Sequence, residues 1–234
     1  MNEVRDVSRF RRVATAVAMI AVAPVVLVSV AIKPEVDEGK ASEALATLSS
    51  NAAAMEASLL LGLVAIALLI PATLGLFRIA QSRSPILALV GVGLTLLGWV
   101  AFMGLQVLSE VNLVMALSPN RLVMTNLYDQ IGNSNLITVV QLTFIAGHVV
   151  GIALLGVAVA RSRVAPVWVG VVLVVSGPLH FLAHGIGISL LDLGAFALLV
   201  LGYAAGGVVL IRLADDTSLR VAAQKPVVAP VPAG

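Results

Sequence analysis

Three histidines and a handful of carboxylates carry whatever chemistry this chain can do. His180 and His184 are four residues apart, so on a helix they share one face and can present two imidazoles to a single ion. Glu110 closes the third apolar run and Asp192 opens the sixth on the same side, adding two oxygen donors. The pattern reads as a divalent metal held by His180, His184, Glu110 and Asp192. A second arrangement pairs His148 with His180 as axial ligands of a b-type haem, with Gly147 leaving room beside one imidazole.

The plain alternative is as concrete. An HxxxH pair without an adjacent Glu is a weak metal signature. His184 is then an interfacial residue, and His180 bonds to a carbonyl freed by Pro178, which removes its own N–H from the helix ladder. His148 and Gln141, seven residues apart on one helix face, hydrogen-bond to neighbouring helices, as buried polar groups in lipid must. Zero cysteines remove thiol catalysis, disulfides and covalently attached haem. The chain has no phosphate-binding loop, dinucleotide fingerprint or Ser-His-Asp spacing, so no catalytic residue is assigned.

The elements that position these side chains are set by hydropathy. Of the 234 residues, 60% are hydrophobic and 11% charged, and the mean hydropathy is +1.08; lipid is therefore part of the solvent. A span needs about 20 apolar residues to cross a hydrocarbon core of about 30 Å. Six segments qualify: Val13 to Ile32, Met55 to Phe77, Pro85 to Val107, Leu136 to Ala160, Val164 to His184 and Leu190 to Ile211. Alternating β patterning is absent, and runs this long satisfy their backbone in lipid only as helices. The expected fold is all-α, a polytopic bundle of six spans.

Charge sets the orientation. With both termini cytoplasmic, Arg5, Arg9, Arg11, Arg12, Arg78, Arg83, Arg161, Arg163, Arg212, Arg220 and Lys225 are inside, leaving Lys33, Lys40 and Arg121 outside. Glu35, Asp37, Glu38, Glu43, Glu56, Glu110, Asp129 and Asp192 then lie outside or at the outer interface. The same bias explains the net charge of +2 without nucleic acid, because the basic residues sit singly at helix ends. Ser29-Val30-Ala31 resembles a cleavage site after an Arg-rich start, but the apolar stretch is longer than a signal h-region, which favours an uncleaved anchor. The division expected is a cytoplasmic segment over 1–12, a membrane domain over 13–211 and a disordered, Pro-rich cytoplasmic tail over 212–234.

Two inner connections, Arg78 to Ser84 and Arg161 to Arg163, are short and make antiparallel hairpins. The outer ones are long. Ala41 to Ala54 reads as a surface helix, and Leu108 to Asn135, with Met115, Met124 and Tyr128, as a partly buried cap. A weak repeat relates the hairpins: Gly91-Val92-Gly93-Leu94, Gly98 and Phe102 align with Gly170-Val171-Val172-Leu173, Gly177 and Phe181, which puts His180 where the first copy has Ala101. Gly147-xxx-Gly151 and Gly202-xxx-Gly206 are small-residue faces suited to close helix packing, within the chain, in a homo-oligomer or with a membrane partner.

Gly147-His148, Gly151, Leu155-Gly156, Arg161-Ser162, Pro166, Gly170, Leu173 and Gly177 resemble the second half of an uncharacterised bacterial family of small six-helix inner-membrane proteins, a domain of unknown function. The Ala-rich entry into the span from Ala52 to Arg78 is similar too. The likeness covers about half the chain and implies a multi-pass protein of the bacterial cytoplasmic (inner) membrane with no assigned activity; the three histidines lie outside its pattern.

No Asp, Glu, Lys or Arg occupies the middle of any span, which disfavours a carrier of polar solutes. Two readings stand. The leading one is a structural, partner-binding or apolar-ligand-binding bundle with an outward-facing polar pocket. The alternative is a metal- or haem-dependent membrane oxidoreductase or hydrolase using His180, His184 and His148.

Overall fold

The computed structural model describes residues 2–36 and 39–223, with side chains over 9–36, 39–183 and 185–213. Among them there is helix and no strand. Helix α1 spans Asn2–Ile32, α2 Ala41–Ser50, α3 Ala52–Ala80, α4 Pro85–Leu117, α5 Arg121–Gly132 and α6 Asn135–Ile145. A π turn over Ala146–Gly151 joins α6 to α7, Ile152–Ser162, and α8 Val167–Ile186 and α9 Ser189–Ala223 follow. Five stretches are long and apolar enough to cross a bilayer: Arg9–Ile32, Ala52–Ala80, Pro85–Leu117, Asn135–Ser162 and Ser189–Leu213. Val167–Ala183 is apolar but shorter.

The helices close into a ring. α1 packs along α3 and α9, α8 along α7 and α9, and α4 against α3 and the broken helix α6–α7, while α3 also touches α7 and α9 across the middle. Inside lie Met19, Ile66, Leu76, Trp99, Ile152, Leu155, Leu173, Leu199 and Tyr203. The outer faces carry leucine, isoleucine and valine, such as Leu60, Ile86, Leu97, Val139 and Leu142, all well exposed. Apolar side chains on both faces leave lipid as the natural surround.

One end of the ring is capped. Leu45 and Leu48 of α2 pack with Met55, Leu59, Leu113, Met115 and Ala116, and Met124 and Tyr128 of α5 lean on this second cluster. Arg121 fastens the two cap helices, donating to the Leu45 carbonyl at 3.3 Å and to Ser49 Oγ at 3.0 Å. The stretch expected as a partly buried cap after Val107 is thus helical: α4 continues to Leu117 and α5 folds back over α2. α9 likewise continues past Ile211 to Ala223, and residues 2–12 are the first turns of α1. The tail from Lys225 to Pro232, with Asp37 and Glu38, lies outside the described residues.

The repeated glycines share a task. A Cβ on Gly91 would stand 2.8 Å from the Leu155 backbone N, and one on Gly98 2.8 Å from Gly147 Cα. On the other flank, a Cβ on Gly170 would stand 2.4 Å from the Gly156 carbonyl and one on Gly177 2.9 Å from that of His148. Both copies therefore grip the broken helix, α4 from one side and α8 from the other, at distances only glycine allows. Gly202 and Gly206 are spent within the chain too, against Leu173 and against Met19 and Leu76.

Polar side chains knit the ring where lipid offers no partners. Ser29 and Ser58 each donate to the other's carbonyl at 2.9 Å, joining α1 to α3. Deeper, Trp99 Nε1 donates to Thr73 Oγ1 at 3.1 Å, and Thr73 Oγ1 lies 2.8 Å from the Tyr203 hydroxyl, tying α4, α3 and α9.

Candidate functional site

Glycine contacts put the histidines together. Gly98 lets α4 approach the π turn and sets Trp99 beside His148, whereas Gly177 lets α8 approach the His148 carbonyl from the opposite side. His180 stands three residues further along α8, on the same face. The two imidazoles meet edge to face with centroids 4.9 Å apart. A π turn widens the helix by one residue, a feature concentrated at functional positions. It also shifts the register between Gln141 and His148: Gln141 is exposed and His148 buried, so the common face expected from an unbroken helix does not form.

Aromatic rings enclose the pair. Trp99 lies 5.6 Å from His148, Phe144 5.3 Å from His148 in a stacked arrangement, and Phe196 4.7 Å from His180 and 5.9 Å from His148. Phe102 stacks on Phe144 at 5.0 Å. Sequence reasoning passed over these rings. The signal available was spacing: in a chain only 4% aromatic, Phe144 precedes His148 by one helical turn and Phe196 follows Asp192 by one.

His180 is tied to α9 through a side chain. Its Nδ1 meets Asp192 Oδ1 of α9, which joins the two helices across their turn. The turn sets this pair: Gly187 takes the left-handed conformation at φ 70°, and the N–H groups of Gly187 and Ile188 both close on the Ala183 carbonyl. That is a glycine-terminated helix end, and it folds the start of α9 back onto α8. His148 differs from its partner. It is 2% exposed, and its Nδ1 has no hydrogen-bond partner, contrary to the expectation that it bonds to a neighbouring helix.

Of the four residues read as metal ligands, the structure brings together His180 and Asp192. Glu110 is exposed on α4, and the His184 side chain lies outside the described residues. Among the described residues no three His, Asp or Glu side chains are grouped to hold an ion. The haem arrangement does not fit the geometry either. Two imidazoles sharing an iron need ring centroids about 6 Å apart with a porphyrin between them. Here the rings touch edge to face, and Trp99, Phe144 and Phe196 fill the surrounding space.

Asp192 also faces a cavity of about 740 Å³ at the capped end of the ring. Its walls come from the ends of α1, α3, α4, α8 and α9 and from the cap. Val30, Val36, Leu48, Met55 and Leu193 supply apolar surface, and Lys33, Glu35, Ser109, Asn112, Tyr128 and Asp192 supply polar groups. Glu35 is held by the Ser189 hydroxyl at the start of α9.

A family model described as a domain of unknown function (DUF4386) matches residues 12–213. No curated protein and no solved structure matches the chain.

Proposed function

The chain belongs to the DUF4386 family, a domain of unknown function, and within that frame we propose that it is a six-span protein of the bacterial inner membrane that binds a small amphipathic molecule in an outward-facing pocket. The observation that carries the reading is the cavity. Its volume of about 740 Å³ falls within the range of about 300–1,000 Å³ usual for small-molecule sites, and its lining is the usual apolar wall with a few polar groups.

The remaining features support the setting. α8, with 20 residues, covers about 30 Å at about 1.5 Å per residue and serves as the sixth span. Arg78, Arg83, Arg161 and Arg163 cluster at the uncapped end, which the positive-inside bias assigns to the cytoplasm together with both termini. The cap and the cavity then face away from it. The polar groups at the rim suit a ligand with a hydrogen-bonding head, and the apolar groups behind them suit a chain or ring.

Native mass spectrometry of protein released from mild detergent tests the reading, with lysophosphatidylcholine added as the probe. The wild type retains one lysolipid, and Asn112→Trp, which fills the cavity, retains none. Equal retention by both proteins would reject the pocket. A metal-dependent enzyme working through His180 and His184 is the competing reading. Elemental analysis of the same preparation decides it, since stoichiometric metal lost in a His180→Ala, His184→Ala variant would favour the enzyme.

A further inference from the structure

We propose that the cavity fills sideways from the bilayer: a phospholipid of the outer leaflet enters between α6 and the outer half of α8, keeps its chains between these two helices and places its headgroup in the cavity. This rests on the reading of the cavity as a site for an amphipathic molecule, and it names the molecule and its way in.

The π turn divides the broken helix into two segments of 11 residues each with opposite fates. Toward the uncapped end, α7 buries Ile152, Leu155, Gly156, Ala158, Val159 and Ser162. Toward the cap, α6 buries none of its residues. α8 divides at the same level: Val169, Gly170, Leu173, Ser176 and Gly177 are buried, and past Gly177 only Ala183 is, among the described residues of that helix. The inner halves therefore pack and the outer halves do not. α8 lies along α7 and touches the π turn, whereas α6 lies on α4, α5 and the π turn.

Helical spacing locates the gap. Phe181 follows Gly177 by one turn and lies on the same face of α8. Gly177 is pressed against the π turn, where a Cβ would stand 2.9 Å from the His148 carbonyl, yet Phe181 is 57% exposed. On α6, Gln141 lies one turn outward from Phe144, whose ring turns toward His180, and it too is exposed. The rings of Phe144 and His180, with centroids 6.5 Å apart, form the foot of the gap. At about 1.5 Å per residue α6 is about 16 Å long, about half of a hydrocarbon core of about 30 Å. In the orientation proposed above, the gap opens to the outer leaflet.

The cavity lies behind this gap. Ala183 of α8 lines it on one side and Ser109, Asn112 and Tyr128 of α4 and α5 on the other, and no described residue of α6 takes part. The helix that would wall off that side stands away from it. A volume of about 740 Å³ suits a drug-sized molecule and is too small for a lipid with two chains, so the chains stay in the gap, against Phe181 and in continuity with the bilayer. Lys33 in the lining supplies a cation for the phosphate, while Glu35 and Asp192 are engaged by Ser189 and His180.

Lipid exchange reads the route. Because the chain has no cysteine, a Gln141→Cys, Phe181→Cys variant accepts bis-methanethiosulfonate reagents of increasing length across the gap, and dithiothreitol releases them. Protein carrying phosphatidylglycerol in mild detergent is mixed with deuterated phosphatidylglycerol, and native mass spectrometry follows replacement of the retained lipid. The wild type and the unbridged variant should retain one phospholipid and exchange it; the bridge should slow exchange at least about tenfold, as a closed gate does, and dithiothreitol should restore it. Each single-cysteine variant, treated with the same reagent, should exchange like the unbridged protein. Equal rates with and without the bridge would overturn entry through the gap, and so would a pair that no reagent joins. A wild type that retains lysophosphatidylcholine but no phosphatidylglycerol would overturn the phospholipid and leave the pocket standing, whereas loss of lysolipid retention would remove the pocket itself.

Discussion

The Gly177 backbone lies so close to the His148 carbonyl that a Cβ there would stand 2.9 Å from the oxygen, and on that approach depends the meeting of His148 with His180 one turn further along α8. Glycine at 177 is thus a site residue by geometry and carries no chemistry of its own. The same holds for Gly98, which places Trp99 against the other side of the π turn.

Gly177→Ala therefore pushes α8 off the π turn. We expect a loss of about 1–3 kcal/mol, the cost of overpacking a filled interior, together with separation of the two imidazoles. Gly93→Ala on α4 is the control, since a Cβ there meets nothing within 4 Å, and its stability should match or slightly exceed the wild type. Unfolding in mixed micelles of rising sodium dodecyl sulfate checks both.

Thr73 is the shared partner of Trp99 and Tyr203. Thr73→Val keeps its shape and leaves an indole N–H and a phenol hydroxyl without that oxygen, so a loss of about 1–2 kcal/mol follows. Tyr203→Phe removes the hydroxyl itself and should cost less. In a Trp168→Phe background the remaining indole, Trp99, should shift its emission in Thr73→Val and hold it in Tyr203→Phe.

Arg121 holds the cap through the Leu45 carbonyl and Ser49. Arg121→Ala is expected to raise local opening of α2 and α5 about fivefold, the equivalent of about 1 kcal/mol. Hydrogen–deuterium exchange should show faster uptake over 41–50 and 121–132 with α3 unchanged. Uniform acceleration through α3 would mean that the cap and the ring open together.

Orientation is open to a direct probe because the chain has no cysteine. In intact cells a membrane-impermeant maleimide should label Ser49→Cys on the cap and spare Ser82→Cys in the loop after α3. The reverse pattern would invert the bundle, and labelling of both sites would break the assignment of six spans.

Helical class, the long apolar spans, the cap and the short turns between helices were legible in the sequence, because each follows from local hydropathy and length in a solvent that forbids unpaired backbone. The membership of a family without known function was legible as well, from small residues around Gly147 to Gly177. His180 and Asp192 were both picked out as candidate ligands, and the structure pairs them with each other across the Gly187 turn, while Glu110 is exposed on α4. That outcome depends on the left-handed turn at Gly187 and on which way α9 folds back, which no single helix encodes.

The π turn lay beyond reach for the same reason. Hydropathy places Gln141 and His148 on one face of an unbroken helix, and only the grip of Gly98 and Gly177 on either side shows where the extra residue goes. Composition thus determined that the chain lives in lipid as a bundle, since burial in a membrane depends on summed apolar surface. Tertiary structure alone decided that a buried imidazole, a carboxylate at a cavity and five aromatic and imidazole rings share one place, because side chains on four helices meet only through packing between helices.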